Sequence, residues 1–392
     1  MYRISRFHAL MNLLPRGAFE QAVEVHQADK YRKGFSCWDQ LLVMVYAQLS
    51  GAGSLRTLTT GFNAQASHHY HLHTGEVRRS TLADANSSTE STVFADTARA
   101  LMATLHRRVR REGEELLCLL DSTSITLKGP GFDTWTLHNR TRNTQGLKLH
   151  VLYTPGQEAP CHSSFTPANV NDVDQARTLP LQSGARYVFD KGYCDYGWWH
   201  SIGQAGSHFV TRFKRNAALR VEQSRPIAEQ ARDLVLADEI VTFRHRHNRG
   251  GHTNPYQAPL RCIRVARDAG KTPLLLATND LTSPALDIAE QYRGRWGIEL
   301  FFKWIKQHLG IKRFLGRSEN AVKIQILTAL IAYLLLVLYR DRHTPKHSLW
   351  ACLSLLRASL FQRPQVEAYR HAAYQRQRRY AALLDKQHAL FQ

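Results

Sequence analysis

Apolar residues fall into a helical rhythm early in the chain, at Trp38, Leu41, Leu42, Val45 and Leu49, a spacing that lines one face of an α-helix. Ser36 stands just before the run, where its side-chain oxygen can accept from the first free N–H groups of the helix. Gly51-Ala52-Gly53 interrupts the pattern, and Ser54 reopens it through Leu55, Arg56 and Leu58. The first 110 residues therefore read as helical. Two helices about a glycine-containing turn have the outline of a helix-turn-helix. Any helical hairpin shares that outline, so DNA recognition near Arg56 and bare packing both stay open. Four histidines follow, at 68, 69, 71 and 73. No Cys or carboxylate joins them at a metal-ligand spacing, and they read as a solvated loop.

From residue 115 the period shortens. Leu116 to Leu127 is a strand-like run with Asp121 in its midst, and Leu147–Tyr153 and Cys161–Thr166 are two more. A helix over Val173–Leu181 precedes a short buried strand that starts at Ala185 and ends in Asp190 and the Gly192 turn. Trp198 and Trp199 mark another helix, and His208–Phe213 another strand. Three strands, helix, strand, helix, strand is the order of a mixed α/β unit. Short strands at Ile240–Arg244, Leu260–Val265 and Pro273–Thr278 form a β-rich insertion. Its basic loop carries Arg244, Arg246 and Arg249, placed to meet phosphates or to be solvated. Helical periodicity returns at Pro284. The longest apolar stretch, Ile326–Tyr339, holds Thr328 and falls short of the roughly 20 residues a membrane span needs; it reads as a buried helix. A last helix, Val366–Phe391, bears Arg370, Arg376, Arg378 and Arg379 on a solvated or DNA-facing surface. The expected divisions are thus a helical domain at 1–110, an α/β core at 111–216 and 281–340 interrupted by the insertion at 217–280, and a helical region at 341–392.

Composition narrows the partner. The 392 residues allow two or three domains, and 43% hydrophobic residues supply a real core. Lys and Arg total 52 against 32 Asp and Glu, a formal charge of +20. So basic a surface calls for an acidic partner, and nucleic acid is the commonest. The charge is spread along the whole chain, which favours a broad DNA-binding surface over a basic tail. Six cysteines stand far apart with no Cys-x-x-Cys pair, which argues against a zinc ribbon or a disulfide framework and fits reduced thiols in the cytosol. Arg3, Arg6, His8 and Arg16 break up the N-terminus, and no secretory signal is apparent.

The candidate chemistry lies in Tyr292-Arg-Gly-Arg295-Trp-Gly-Ile-Glu299, followed seven residues later by Lys306. On a helix advancing about 100° per residue, Arg295, Glu299 and Lys306 fall at about −60°, −20° and −40° from Tyr292. All four share one narrow face, beside an apolar stripe of Ile298, Phe302, Ile305 and Leu309. One carboxylate between two cations and a phenol suits a site that holds a metal ion and a phosphate together; the polar side of an amphipathic helix would look alike. Asp121 sits inside an apolar strand, where an unpaired carboxylate is costly, and Asp190 ends a second. Two strands and a helix can thus deliver three carboxylates to a pair of divalent ions, such as magnesium, for phosphoryl transfer.

With these residues in place, the chain resembles the DDE transposases of the insertion-sequence-4 family over about residues 115 to 340. The family pattern Tyr-x2-Arg-x3-Glu-x6-Lys is met in full by Tyr292, Arg295, Glu299 and Lys306. Leu-Asp121-Ser-Thr and Phe-Asp190-Lys-Gly-Tyr193 match its two other acidic segments, and the β-rich insertion is a family trait. Ser80-Thr-Leu-Ala-Asp84-Ala-Asn86 is similar to part of the helical DNA-binding domain that precedes the core in one branch. The resemblance implies a ribonuclease-H-like core and a cut-and-paste transposase of a bacterial insertion sequence, acting on double-stranded DNA at its terminal inverted repeats and at a target. It implies a homodimer or larger assembly in the cytoplasm, associated with the nucleoid. Asp121, Asp190 and Glu299 would bind two Mg²⁺, with Mn²⁺ able to substitute. Tyr292, Arg295 and Lys306 would hold the DNA backbone, aided by Lys191. Two departures stand out: Lys191 occupies a position where many members have Arg, and residues 200 to 290 contain no Trp of the kind some members stack on a flipped base. Either a Tyr or Phe such as Tyr256 stands in for it, or the hairpin route runs differently. The rival reading is a catalytically inactive or repurposed DNA-binding protein.

Overall fold

The computed structural model describes residues 5–112, 116–139, 143–245, 253–267 and 271–362. Arg246, Arg249 and the expected helix at Val366–Phe391 lie outside the described residues. The chain divides into two compact units, one made of 1–97 with 327–392 and one of 98–326.

The first unit opens with helices α1 (Arg6–Met11), α2 (Arg16–Val25), α3 (Cys37–Ser50), α4 (Leu55–Asn63) and α5 (Arg79–Ser88), and α6 (Thr92–Glu112) begins in it. Ser36 caps α3 in a reciprocal box with Asp39, and Gly51 ends it with φ +72°, a conformation that glycine adopts without a Cβ penalty. The expected one-sided helix is in fact sealed all round: Leu41, Leu42, Val43, Met44 and Val45 are fully buried. Such a helix must satisfy its buried polar groups internally. Gln40 does so by donating to Asn86 of α5 at 2.8 Å and accepting from Thr89 at 2.7 Å. Asn86 thus serves packing here. The histidines are not a uniform solvated loop. His69 is buried and stacks on Phe62 at 4.4 Å, and its Nε2 lies 3.0 Å from the Phe62 carbonyl.

The second unit is built on one ten-stranded sheet. Its strands are β1 (Leu117–Thr126), β2 (Leu137–Asn139), β3 (Thr144–Thr154), β4 (Ala159–Pro167), β5 (Arg186–Phe189), β6 (His208–Arg212), β7 (Leu219–Ser224), β8 (Val235–Phe243), β9 (Leu260–Val265) and β10 (Leu274–Thr278). They run in the order β2-β3-β1-β5-β6-β10-β9-β8-β7, with β4 also on β3. β1 pairs antiparallel with β3 and parallel with β5, which pairs parallel with β6. The expected insertion is no separate layer: β10 joins β6 antiparallel and carries the same sheet outward. β2 and β7 were not evident in the sequence, and both are edge strands with largely exposed side chains. Gly146 of β3 has φ +137°, and a Cβ there would stand 2.1 Å from the Ile125 carbonyl oxygen, so no other residue fits this crossing of β3 and β1.

Helices cover both faces of the sheet. On one, α7 (Asp172–Ala176) and α8 (Tyr196–Gln204) bury a core of Leu120, Phe189, Trp198, Trp199 and Phe209; α7 is shorter than the pattern predicted. On the other lie α9 (Ala285–Gly294) and α10 (Trp296–His308). The turn that launches α9 is fixed by buried charge. Arg261 grips Asp238 through two 2.7 Å bonds and donates to the Ser283 carbonyl at 2.5 Å. Arg186 meets Asp280 at 2.8 Å. Burial would raise the Asp280 carboxyl, but bonds from Ser283, Thr282 and Arg186 outweigh it and hold the group well below the usual range. The chain then returns through α11 (Glu319–His343), whose apolar side chains are buried inside the protein, and α12 (Leu349–Ser359). Ile326–Tyr339 is a buried helix, as its pattern predicted.

Candidate active site

The site grows from the register of the parallel strands. Leu120 lies opposite Phe189, so the next residues, Asp121 and Asp190, stand side by side where the two strands leave their ladder. Val188 lies opposite Val210; two further steps bring Asp190 beside Arg212 at the end of β6. Alternation along the strands sends Leu120 and Phe189 into the core, while Leu119, Asp121 and Thr123 face α10. That helix lies close: a Cβ on Gly297 would meet Leu119 Cδ1 at 3.5 Å. Lys306 donates to the Thr123 hydroxyl and, at 3.3 Å, to the Ser124 carbonyl. Ile298, Phe302, Ile305 and Leu309 are buried, and this stripe presses the polar face of α10 against β1.

The four residues of the pattern do not lie on one uniform helix. α9 ends at Gly294, and Arg295 bridges to α10 through tight i to i+3 bonds, Arg295 N to Tyr292 O and Ile298 N to Arg295 O, both 3.2 Å. Gly294 and Gly297 flank this joint, and glycine is a weak helix former. The break overrides the uniform 100° count, yet the side chains still gather. Arg295 Nη2 binds Glu299 at 2.6 Å, and the Tyr292 ring is half-ringed by two guanidinium groups, Arg212 at 5.8 Å and Arg295 at 6.0 Å. Arg212 also reaches both oxygens of Asp190, at 3.1 and 3.2 Å.

Electrostatics ties the three carboxylates together. Burial pushes the Asp121 carboxyl up to about 6; the Ser122 N–H and Arg295 act downward, and Glu299 and Asp190 add to the rise. Burial also raises the Tyr292 phenol and lowers the Lys306 ammonium, the latter helped by Lys312. Burial opposes the charge on Arg295, but the bond to Glu299 prevails and raises its pKa. Three neighbouring carboxylates are hard oxygen donors of the kind magnesium takes. As they stand, two of the three carboxylates are turned onto arginines. Among the described residues no group of three or more His, Cys, Asp or Glu side chains converges to enclose a metal ion.

A cavity of about 860 Å³ opens at this end of the sheet, lined by Asp121, Asp190, Lys191, Arg212, Lys214 and Arg215 among others. Sequence reasoning placed Lys191 here but missed Arg212, Lys214 and Arg215; the run Arg212-Phe-Lys-Arg215 at a strand end was the available signal. It missed Asp172 as well, which takes bonds from Ser122 at 2.9 Å and Lys148 at 3.1 Å on the opposite face of β1. Arg244 is exposed at the end of β8, its Nε bonded to the Leu219 carbonyl at 2.7 Å. Arg56 is exposed on α4, in the other unit. Tyr256 cannot offer its ring to a ligand. It is buried against Phe209, and burial pushes its phenol up to about 12. Trp296 is the exposed indole of this neighbourhood, lining a smaller cavity with Arg267, Arg293 and Arg295.

Comparison with known proteins bears on this arrangement. Residues 112–335, more than half of the chain, match the model of the transposase DDE domain, and residues 3–73 match a domain of unknown function. A protein of Sinorhizobium fredii named as a transposase is 46% identical over 256 residues, 65% of this chain and 69% of that one. One of Geobacillus stearothermophilus, named for insertion sequence element IS5377, is 29% identical over 56% of this chain and 55% of that one. One of Synechocystis, named for element IS4SA, is 24% identical over 66% and 71%. A piggyBac transposase synaptic complex with hairpin DNA is similar at a TM-score of 0.45 and 10% identity, over 93% of this chain and 83% of that one, a likeness too slight to bear on function.

Proposed function

This chain belongs to the transposase DDE domain family, and from that premise we propose that it is a cut-and-paste transposase of the insertion-sequence-4 type. It binds the terminal inverted repeats of its element, cleaves there, and joins the 3′ ends to target DNA, as a homodimer that brings two ends together. The observation that carries this reading is the register at the strand ends. Asp121 and Asp190 leave adjacent parallel strands side by side, and the helix bearing Glu299 is packed over the same face. The strand order β4-β3-β1-β5-β6, antiparallel and then parallel, supports a ribonuclease-H-like core. DNA binding by the N-terminal helices is part of this reading and rests on the chain's formal charge of +20 and on Arg56, exposed on α4.

In this reading Asp121, Asp190 and Glu299 hold two divalent ions, magnesium or, in substitution, manganese. Such ions, when bound, supply charge to the phosphodiester and acidify the attacking water or 3′-hydroxyl. The protein's own groups do the positioning. Arg295 presents a planar fork that matches two phosphate oxygens, and Lys306 a point charge anchored on β1. Tyr292, between two guanidinium groups, offers a hydroxyl to the backbone, and Lys191, Lys214 and Arg215 line the approach.

The decisive experiment is a cleavage and joining assay with Mg²⁺, with Mn²⁺ in parallel, on DNA carrying the inverted repeats that flank the coding region. Wild type cuts at the ends and yields joined products. Glu299→Gln binds the same DNA and yields neither. Cutting retained by the variant refutes the three-carboxylate assignment; binding without cutting by wild type supports the inactive DNA-binding protein instead.

A further inference from the structure

Arg212 is not part of the Tyr-Arg-Glu-Lys pattern, yet it holds the central place at the strand ends. Its Nη2 contacts both Asp190 oxygens at 3.1 and 3.2 Å, and its guanidinium stands 5.8 Å from the Tyr292 ring centre. The partner arginine, Arg295, grips Glu299 at 2.6 Å. Two of the three carboxylates are thereby engaged by guanidinium groups, and of these Arg212 lines the cavity shared with Lys191, Lys214 and Arg215, while Arg295 lines the smaller one. A carboxylate oxygen and a phosphodiester oxygen are near-equivalent acceptors for an arginine fork. The Asp190–Arg212 pair is part-exposed, 36% and 24%, so solvent screens it and little holds it closed.

We infer that Arg212 is a gate on Asp190. Its guanidinium holds the carboxylate until a DNA phosphate draws it away, so that DNA and divalent cations bind this site with positive cooperativity. The inference rests on Asp190 being a metal ligand. A cation approaching Asp190 must displace Arg212 or share the carboxylate with a fixed positive charge. A phosphate in the cavity removes that charge from the carboxylate and adds a negative group of its own. Linkage makes the effect reciprocal: whatever DNA does for the cation, the cation does for DNA. Arg212 is a positioning residue in this scheme, acting through Asp190.

The test is Mn²⁺ binding, read by electron paramagnetic resonance of the free ion on the full chain, with and without a short blunt-ended duplex. In wild type the duplex tightens Mn²⁺ binding about tenfold, a common size for such coupling. Arg212→Gln binds Mn²⁺ more tightly than wild type without DNA, and the duplex then adds little. Arg212→Lys, which keeps the charge as a compact, strongly hydrated ammonium, falls between them. Far-ultraviolet circular dichroism and a thermal melt establish that each variant is folded. Mn²⁺ binding by Arg212→Gln no tighter than by DNA-free wild type overturns the gate. Failure of the metal assignment looks different: Asp190→Asn and Glu299→Gln would then bind Mn²⁺ as wild type does, and the gate would fall with it.

Discussion

Asp238 and Arg261 face each other across β8 and β9; Asp190 and Arg212 face each other across the ends of β5 and β6. Both are arginine–aspartate pairs in which the guanidinium reaches both carboxylate oxygens, and both belong to the same sheet. The first is sealed, with side-chain exposures of 3% and 1%, and its spare donor is spent on the Ser283 carbonyl ahead of α9. The second opens on the cavity, at 36% and 24%. A sealed pair is shut off from solvent and from phosphate, and losing one partner leaves a charge in low dielectric. An open pair is screened and faces every phosphate that arrives. One pair therefore fixes where the α9–α10 arm begins, and the other remains free to exchange.

The sharpest way to break this contrast is to cut the sealed pair. Arg261→Ala leaves Asp238 buried with only the more distant Arg225, at 4.0 Å, and should cost about 3 kcal/mol, read by urea denaturation. A loss below about 1 kcal/mol would mean that the pair is not sealed in solution. A smaller effect of opposite sign is expected at Asp121. Its folded pKa of about 6 lies above the 3.8 of a free carboxyl, so between those values the folded chain keeps a proton that the unfolded chain has lost. Stability therefore falls as pH rises through that window. Asp121→Asn should remove this slope and gain about 2 kcal/mol above it, measured by denaturation just below and just above the window; an unchanged slope would show that Asp121 is not the group. The smallest effect belongs to the open pair: Arg212→Ala should change stability by less than about 1 kcal/mol, and a larger loss would place it with the sealed pair.

Much of this was legible in the sequence, for reasons that also explain the rest. Runs such as Leu260–Val265 and the Ser36-capped helix carry their own period and caps, and these elements appear where the pattern put them. Asp121 and Asp190 stood out because a carboxylate interrupts or ends an apolar run. β2 and β7 did not, because edge strands with exposed faces lack the apolar alternation that marks a half-buried strand. The joint at Arg295 was hidden because a glycine inside a helical pattern is usually tolerated. Arg212 was hidden for a different reason. Its significance comes from lying one strand over from Asp190 in register, and register between distant segments leaves no local trace.

That same register has a consequence for how the site can vary. Neighbouring strands sit about 4.8 Å apart because backbone hydrogen bonds set the distance, so the interval between Asp121, Asp190 and Arg212 is a property of peptide geometry and owes little to side-chain packing. Core residues beneath can be exchanged in volume and shape without altering it. Deleting one residue from β5 would be another matter: the fold could survive with its hydrogen bonds intact, while Asp190 swung to the opposite face of the sheet. The sheet works as a ruler whose smallest division is one residue, forgiving of what fills it and intolerant of any slip along it.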